Sequence, residues 1–403
     1  MKKKLDYTVY VTQPSLPNLE DYTALLQQIW DSKILTNNGP FHQLFENALA
    51  KHLGVKYISV FNNGTIGLLT AFQALEIKGE VITTPFSFVA TANSLLWNNL
   101  TPVFCDVDPI YGNLDPTKIE PLITKNTSAI LPVHVYGNLD PTKIEPLITK
   151  NTSAILPVHV YGNPANVEQI QEISSKYKLK VIYDAAHAFG VEINNTSVLN
   201  YGDLSVLSFH ATKTFNSVEG GAIISHTAEM KQKIDQLKNF GITNEVTVVA
   251  PGINGKMNEL IAAYGLLQLK DVDKQITKRN AVASYYSQQL NKIKGIRIIN
   301  DDALVKSNYS YYPIFIDVNE YGISRDELYE QLKEQNIYSR RYFYPLISNF
   351  PTYKNYLSSS KKLLPVANHL SEQVLCLPLY ANLEIETAKT IVDFIQFFSK
   401  NKC

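Results

Sequence analysis

A lysine, a carboxylate and a serine stand at the ends of successive apolar runs in this chain. Lys213 closes Ser208-Phe209-His210-Ala211-Thr212-Lys213 and precedes the tight turn Glu219-Gly220-Gly221. Asp184, 29 residues before Lys213, opens Asp184-Ala185-Ala186-His187 directly after Val181-Ile182-Tyr183. A carboxylate at the end of a buried strand is costly unless a cation or hydrogen-bond donors meet it. A lysine amine, once uncharged, attacks aldehydes to form a Schiff base. An amine for that bond and a carboxylate to keep a pyridine nitrogen protonated are the two requirements of pyridoxal phosphate (PLP) chemistry, in which the ring accepts carbanion electrons. Taken singly, Lys213 reads equally as a solvated lysine and Asp184 as a helix cap. Together, in an order that an α/β sheet delivers to one rim, they favour PLP.

Neighbouring residues fit the same ligand. Ser208 and His210 flank Phe209 on a strand and so share a face; Ser208 can donate to a phosphate, while His210 merely orients its neighbours. Asn62-Asn63-Gly64-Thr65 joins a strand to a helix starting near Thr65. Unpaired amides and the positive end of a helix dipole suit a phosphate there, although an ordinary glycine turn with a threonine cap gives the same letters. Phe88, after Pro85-Phe86-Ser87, can stack on a flat ring or simply fill the core. Ala185 and Ala186 allow close approach beside Asp184, and His187 can donate to the ring's 3-oxygen.

The elements that must position these residues alternate. Short apolar runs at Tyr57–Phe61, Glu80–Thr83, Thr101–Val107, Val181–Tyr183, Leu204–Phe209 and Ala222–Ser225 end in turn residues or Asp. Helical patterns fill the gaps at Phe41–Leu53, Thr65–Leu75, Ala90–Asn98, Val167–Tyr177 and Thr227–Lys238. That rhythm predicts an α/β fold with a mostly parallel sheet between helices, and right-handed crossovers bring the functional loops to the carboxyl rim. A long helical stretch from about Met257 to Lys294 leads into a smaller α+β domain. The expected division is residues 36–256 for the large domain and 257–403 for the linking helix and small domain, with 1–35 packing on the latter.

An exact tandem repeat interrupts this pattern. Residues 111–135 and 136–160 are both YGNLDPTKIEPLITKNTSAILPVHV, and a third YGN follows at Tyr161-Gly162-Asn163. Solenoid repeats drift in sequence and recur many times. Two identical copies flanked by a shared triplet are instead a recent in-frame duplication, inserted into a finished fold. Each copy carries a predicted helix (Asp-Pro-Thr-Lys-Ile-Glu-Pro-Leu-Ile) and an apolar strand (Ala-Ile-Leu-Pro-Val-His-Val). A sheet with one slot should extrude the other strand, and Val158-His159-Val160 is expected in the slot because it runs directly into the Tyr161 loop. An extruded strand invites aggregation.

Bulk properties exclude several functions. Lysine plus arginine and aspartate plus glutamate both number 37 in 403 residues, so no basic field points to nucleic acid or an anionic membrane. No apolar run approaches the roughly 20 residues that span a bilayer. Cys105, Cys376 and Cys403 have neither pairing nor metal-ligand spacing, and the histidines form no ligand-spaced cluster, so a reduced cytoplasmic setting without a metal is expected.

Over almost its whole length, the repeat apart, the chain resembles the DegT/DnrJ/EryC1/StrS sugar-nucleotide aminotransferases of PLP fold type I. The resemblance rests on LTNNGPFHQLFENALAKHLGVKYISVFNNGTIGL (35–68), TPFSFVATANSLLW (84–97), PVHVYGNP (157–164), DAAHAFG (184–190), SFHATKTFNSVEGGAI (208–223), PGINGKMNELIAAYGLLQL (251–269) and YPL (344–346). It implies a seven-stranded large-domain sheet, Lys213 as the covalent anchor and Asp184 on the pyridine nitrogen. It also implies Gly64, Thr65 and Ser208 on the phosphate, Phe88 against the ring, and His187 where many relatives carry Gln. Asn254 matches a residue that reaches the phosphate of the neighbouring subunit's cofactor, which implies an obligate homodimer with shared sites. Arg340, Arg341 and Tyr344 fall in a segment that approaches the site in relatives; an arginine there can pair with diphosphate oxygens or merely form surface ion pairs. Relatives that replace the lysine with His are dehydratases, so Lys213 implies transamination. FHATKTFNSVEGG further resembles enzymes that pass an amino group from L-glutamate to the C4 ketone of dTDP-4-keto-6-deoxyglucose, for surface polysaccharide such as O antigen. Amination at C3 of a related dTDP sugar, or of a GDP sugar, stays open, as does a PLP-binding protein that the duplication has inactivated.

Overall fold

A computed structural model describes residues 4–135, 139–299 and 302–400; the opening Met1-Lys2-Lys3, the middle YGN triplet (136–138) and Cys403 lie outside them. The large-domain sheet is built from β1 (Tyr57–Phe61), β2 (Glu80–Thr83), β3 (Thr101–Phe104), β4 (Thr127–Ile130, continued by Val133–His134), β5 (Ala154–Ile155, continued by Val158–His159), β6 (Lys180–Asp184), β7 (Leu204–Ser208) and β8 (Gly221–Ser225). Their spatial order is β3-β2-β4-β5-β6-β7-β8-β1, and only β8 runs antiparallel to its neighbours. Helices start where the sequence supplies caps: Asn63 accepts from Ile66 N at 2.8 Å and Asn166 from Gln169 N at 3.2 Å. Pro40 opens the helix that ends at Leu53, and Gly54, at φ +64°, closes it in the left-handed region that glycine tolerates.

The sheet is the seven-stranded one the family implies plus one more strand, and the addition is the duplicated copy. Extrusion was the expectation; both copies are instead buried inside the sheet. The second copy's strand, β5, lies beside β6, with Val158 opposite Asp184, as the Tyr161 connection predicts. The first copy's strand, β4, is wedged between β5 and β2. It fits because the strand is apolar on both faces, as a buried parallel strand must be, and so pairs in register with its own copy: Ala129 with Ala154, Ile130 with Ile155, Val133 with Val158, His134 with His159. Burying a Val, Leu or Ile side chain is worth roughly 1.5–3 kcal/mol. Ile155, Leu156, Val158 and Val160 are all buried, which favours a wider sheet over a solvated loop. The predicted helix of each copy is two 3-10 turns, because a second proline (Pro121, Pro146) interrupts it.

Excising either copy yields the same 378-residue chain. That chain is expected to fold with a seven-stranded sheet and keep the visible absorption band of the cofactor-loaded enzyme. Purification followed by absorption spectroscopy checks this; an insoluble product, or one without the band, would contradict it.

The long stretch after Met257 forms two helices, α1 (Glu259–Leu269) and α2 (Val272–Leu290), rather than one. Beyond it, Ile296–Arg297, Tyr312–Ile316 and Val374–Leu377 make an antiparallel sheet backed by helices Arg325–Glu334 and Ile385–Lys400, with a separate apolar core. Val9–Tyr10 pairs with Ile337–Tyr338 of this unit, whereas Leu19–Ser32 lies against α1, where the Tyr22 hydroxyl donates to Leu260 O.

Candidate active site

The carboxyl ends of β5, β6 and β7, the helix start at Gly64 and the segment 340–343 surround a cavity of about 260 Å³. Lys213 projects into it from the turn after β7, where Lys213 N donates to His210 O at 2.9 Å. The surface that Lys213 exposes faces the cavity, not bulk solvent. Burial therefore pushes its amine down, the Asp184 carboxylate partly restores it and Arg340 lowers it further, to about 8. A substantial fraction of such an amine is uncharged and nucleophilic near neutral pH.

Asp184 ends β6 and is buried. Its Oδ2 accepts from the Thr91 hydroxyl at 2.9 Å and its Oδ1 from Ala186 N at 3.2 Å. Burial raises its pKa; Thr91, Ala186 and the charge of Lys213 offset this only in part. A cationic ring nitrogen beside it would supply the missing compensation. Thr91 escaped the sequence reading. It lies three residues after Phe88, one helical turn along Val89–Trp97, and that spacing could have flagged it.

His187 is held in one tautomer. Its Nδ1 accepts the backbone N–H of Tyr161 at 2.9 Å, which leaves the proton on Nε2. Burial, reinforced by the charge of Lys213, keeps the ring neutral, with a pKa well below that of a free histidine. Tyr161 adopts φ +57°, costly for a bulky residue. It is fixed there by this bond and by its hydroxyl, which donates to Tyr342 O at 3.0 Å. The third YGN triplet thus performs a task that the first, with Tyr111 exposed, does not.

The phosphate end is a backbone cradle. Gly64 begins an eleven-residue helix whose first N–H groups have no partner within it. A Cβ on Gly64 would lie 2.9 Å from Ser208 Cβ, and one on Gly221 would lie 2.6 Å from Gly64 N. Glycine is thus required at both positions for helix and strands to meet. Gly64, Thr65 and Ser208 all face the cavity. Beneath them, β1 is an edge strand whose open backbone is capped by side chains: Glu46 accepts from Val60 N at 2.8 Å and Lys238 donates to Val60 O at 3.3 Å. Burial opposes the charge on Glu46, yet His42, Lys238 and Lys231 hold its carboxyl far below the usual range.

Phe88, half exposed, and Arg340, with its guanidinium 4.4 Å from the Tyr342 ring centroid, also face the cavity. Arg341 and Tyr344 do not. Arg341 is engaged by Asp326 at 2.8 Å, and Tyr344 lies between Arg325 and Arg341 outside the cavity wall. Asn254 is exposed and does not line this cavity; its backbone oxygen accepts from Asn62 Nδ2 at 3.4 Å and its Oδ1 from Lys256 Nζ at 2.9 Å. Among the described residues no group of His, Cys, Asp and Glu could hold a metal, and no helix is long and apolar enough to cross a membrane.

A buried amine of lowered basicity, a buried carboxylate, a neutral imidazole donor and an amide cradle suit a phosphorylated pyridine aldehyde. The chain belongs to the DegT/DnrJ/EryC1/StrS aminotransferase family, whose sequence pattern it matches over residues 18–140 and 137–396. The two stretches divide within the repeat, one copy to each. It is a PLP-dependent aminotransferase of the α/β fold shared by that family. It is 49% identical over 393 residues, 97% of this chain and 98% of the relative, to a dTDP-4-amino-4,6-dideoxy-D-glucose transaminase from Escherichia coli, and equally to one from Shigella dysenteriae (97% and 99% covered). Among solved structures it is similar to DesI in the presence of its TDP-sugar product (TM-score 0.85, 30% identity, 98% and 94% covered). It is also similar to Helicobacter pylori PseC, an aminotransferase involved in the biosynthesis of pseudoaminic acid (TM-score 0.83, 29% identity, 98% and 100% covered).

Proposed function

We propose that this enzyme transfers the amino group of L-glutamate to dTDP-4-keto-6-deoxy-D-glucose, giving dTDP-4-amino-4,6-dideoxy-D-glucose and 2-oxoglutarate. The observation that carries this reading is identity of 49% along almost the full length to transaminases of that name, with Lys213 and Asp184 both facing one cavity. The cofactor, when bound, supplies an electron sink for a carbanion. Lys213 anchors it covalently and, once displaced by substrate, takes a proton from Cα of glutamate and later returns one to C4 of the sugar. Asp184 keeps the ring nitrogen cationic, and His187 donates from Nε2 to the ring's 3-oxygen. Gly64, Thr65 and Ser208 hold the phosphate, and Phe88 covers the ring. Arg340, the one of the three segment residues that lines the cavity, takes the diphosphate of the nucleotide sugar.

The active form proposed is a homodimer in which Asn254 completes the phosphate site of the partner. In support, Asn254 is exposed beside the hairpin of Ile242–Asn244 and Thr247–Val248, where Val246, Val248 and Val249 are exposed together. Such a patch needs cover. The proposed setting is the cytoplasm, where buried Cys105 and Cys376 stay as free thiols, and the product serves surface polysaccharide such as O antigen.

Purified protein incubated with L-glutamate and, in turn, dTDP-4-keto-6-deoxyglucose, a dTDP-3-keto-6-deoxyhexose and the GDP keto sugar is expected to aminate the first at C4. NMR of the products reads the position directly. Amination only at C3, or only of the GDP sugar, would replace this substrate assignment.

A further inference from the structure

His187 can donate into the cavity only while two loops keep their register. Its imidazole belongs to the loop after β6, and the N–H that fixes its tautomer belongs to Tyr161, 26 residues earlier. A shift of either loop breaks that bond and swings the ring.

Asn308 stands behind both loops. It lies between Val305–Lys306 and Tyr312–Ile316 and is fully buried. Val305–Lys306 pairs antiparallel with Glu192–Ile193, which brings this segment alongside the His187 loop. The Asn308 amide nitrogen donates to His187 O at 2.7 Å and to Phe189 O at 2.9 Å. Two carbonyl acceptors set the orientation of the amide, because only its NH₂ end can donate twice. Its other end faces the Tyr161 loop: a Cβ added to Gly162 would lie 2.8 Å from Asn308 Oδ1 and 3.0 Å from His187 O. Gly162, at φ +87°, is thus required both for its backbone conformation and for this close approach. One amide therefore ties down the backbone of His187 and abuts the loop that bonds to its ring.

The segment that carries Asn308 is itself held firmly. Tyr309 adopts φ +50°, a strained conformation that persists where the surroundings over-determine it. The buried Arg279 guanidinium donates to Tyr309 O at 3.4 Å and to Leu379 O at 3.1 Å. The hydroxyl of Thr214, next in the chain to Lys213, reaches Asn308 O at 3.5 Å, a tie that substitution of the Asn308 side chain leaves in place.

We propose that Asn308 is a positioning residue for the transamination, fixing the His187 and Tyr161 loops in the register at which His187 Nε2 meets the 3-oxygen of the cofactor ring. The proposal rests on the PLP reading of this cavity but on no particular sugar.

A double-mutant cycle in the cofactor-loaded enzyme tests it. Asn308→Ala and His187→Ala leave Lys213 and Asp184 in place, so both are expected to keep the visible band, which separates failure of this proposal from failure of the Lys213 assignment. A hydrogen bond to the 3-oxygen favours its anionic form and so lowers the affinity for the proton that the band titrates. Each single variant is expected to raise the pH midpoint of the band. Asn308→Ala should also lower kcat about 10- to 10²-fold, the cost of misplacing an active-site group by up to roughly 1 Å, with KM for both substrates unchanged. Once His187 is alanine there is no ring left to place. Adding Asn308→Ala should then change kcat less than about twofold and leave the midpoint where His187→Ala put it. Should Asn308→Ala not fold, Asn308→Ser, which keeps one donor, takes its place in the same cycle. Wild-type kcat with an unmoved midpoint in the Asn308 variant, loss of its band, or losses that multiply in the double variant overturn the proposal.

Discussion

Replacing Lys213 with Ala is expected to abolish the visible absorption of the PLP-loaded enzyme and to cut turnover by at least about 10⁴-fold, because one side chain supplies both the covalent anchor and the acid–base group. The cavity predicts a pH signature as well. Burial lowers this amine to about 8, and only the uncharged form attacks an aldehyde. Capture of added cofactor by the apoprotein should therefore accelerate as pH rises toward about 8 and level off above it, a full two units below an ordinary lysine. Stopped-flow absorption against pH reads this out. A capture rate still climbing steeply above pH 9 would mean that the amine is not buried as described. Full activity in the Ala variant would remove the assignment altogether.

Asp184→Asn is expected to bind the cofactor, since the side-chain oxygen still accepts from Thr91, but to lower kcat about 10²–10³-fold, the effect of removing one preorganised electrostatic partner. The buried carboxylate is destabilised in its charged form, with Lys213 as a partial counter-charge. A protonated ring nitrogen repays that cost, and asparagine cannot hold the proton there. Wild-type kcat in the Asn variant would show that the ring nitrogen finds its partner elsewhere.

Much of this site is written locally. Asp184, Ser208 and Lys213 each end or follow an apolar run, and in a parallel sheet the ends of such runs converge on one rim whatever the loop details. Gly64 and Asn63 announce a helix start on their own. Thr91 and Tyr161 were harder to see, because their parts depend on contacts with residues 93 and 26 positions away in the chain. Arg340 and Arg341 are adjacent in sequence, yet only the first faces the cavity; the second is drawn off by Asp326.

The duplication divides most clearly between the two levels. By itself the sequence determined that residues 111–160 contain two identical apolar strands and that the one joined to Tyr161 takes a place in the sheet. It also determined the class of chemistry, because the residue types that PLP requires fall at strand ends. Only the tertiary structure decided the fate of the spare strand. Two strands apolar on both faces pair with each other as readily as with their neighbours, so the sheet widened instead of expelling one. The tautomer of His187 was likewise settled only in three dimensions, since it is fixed by the backbone N–H of Tyr161, 26 residues away.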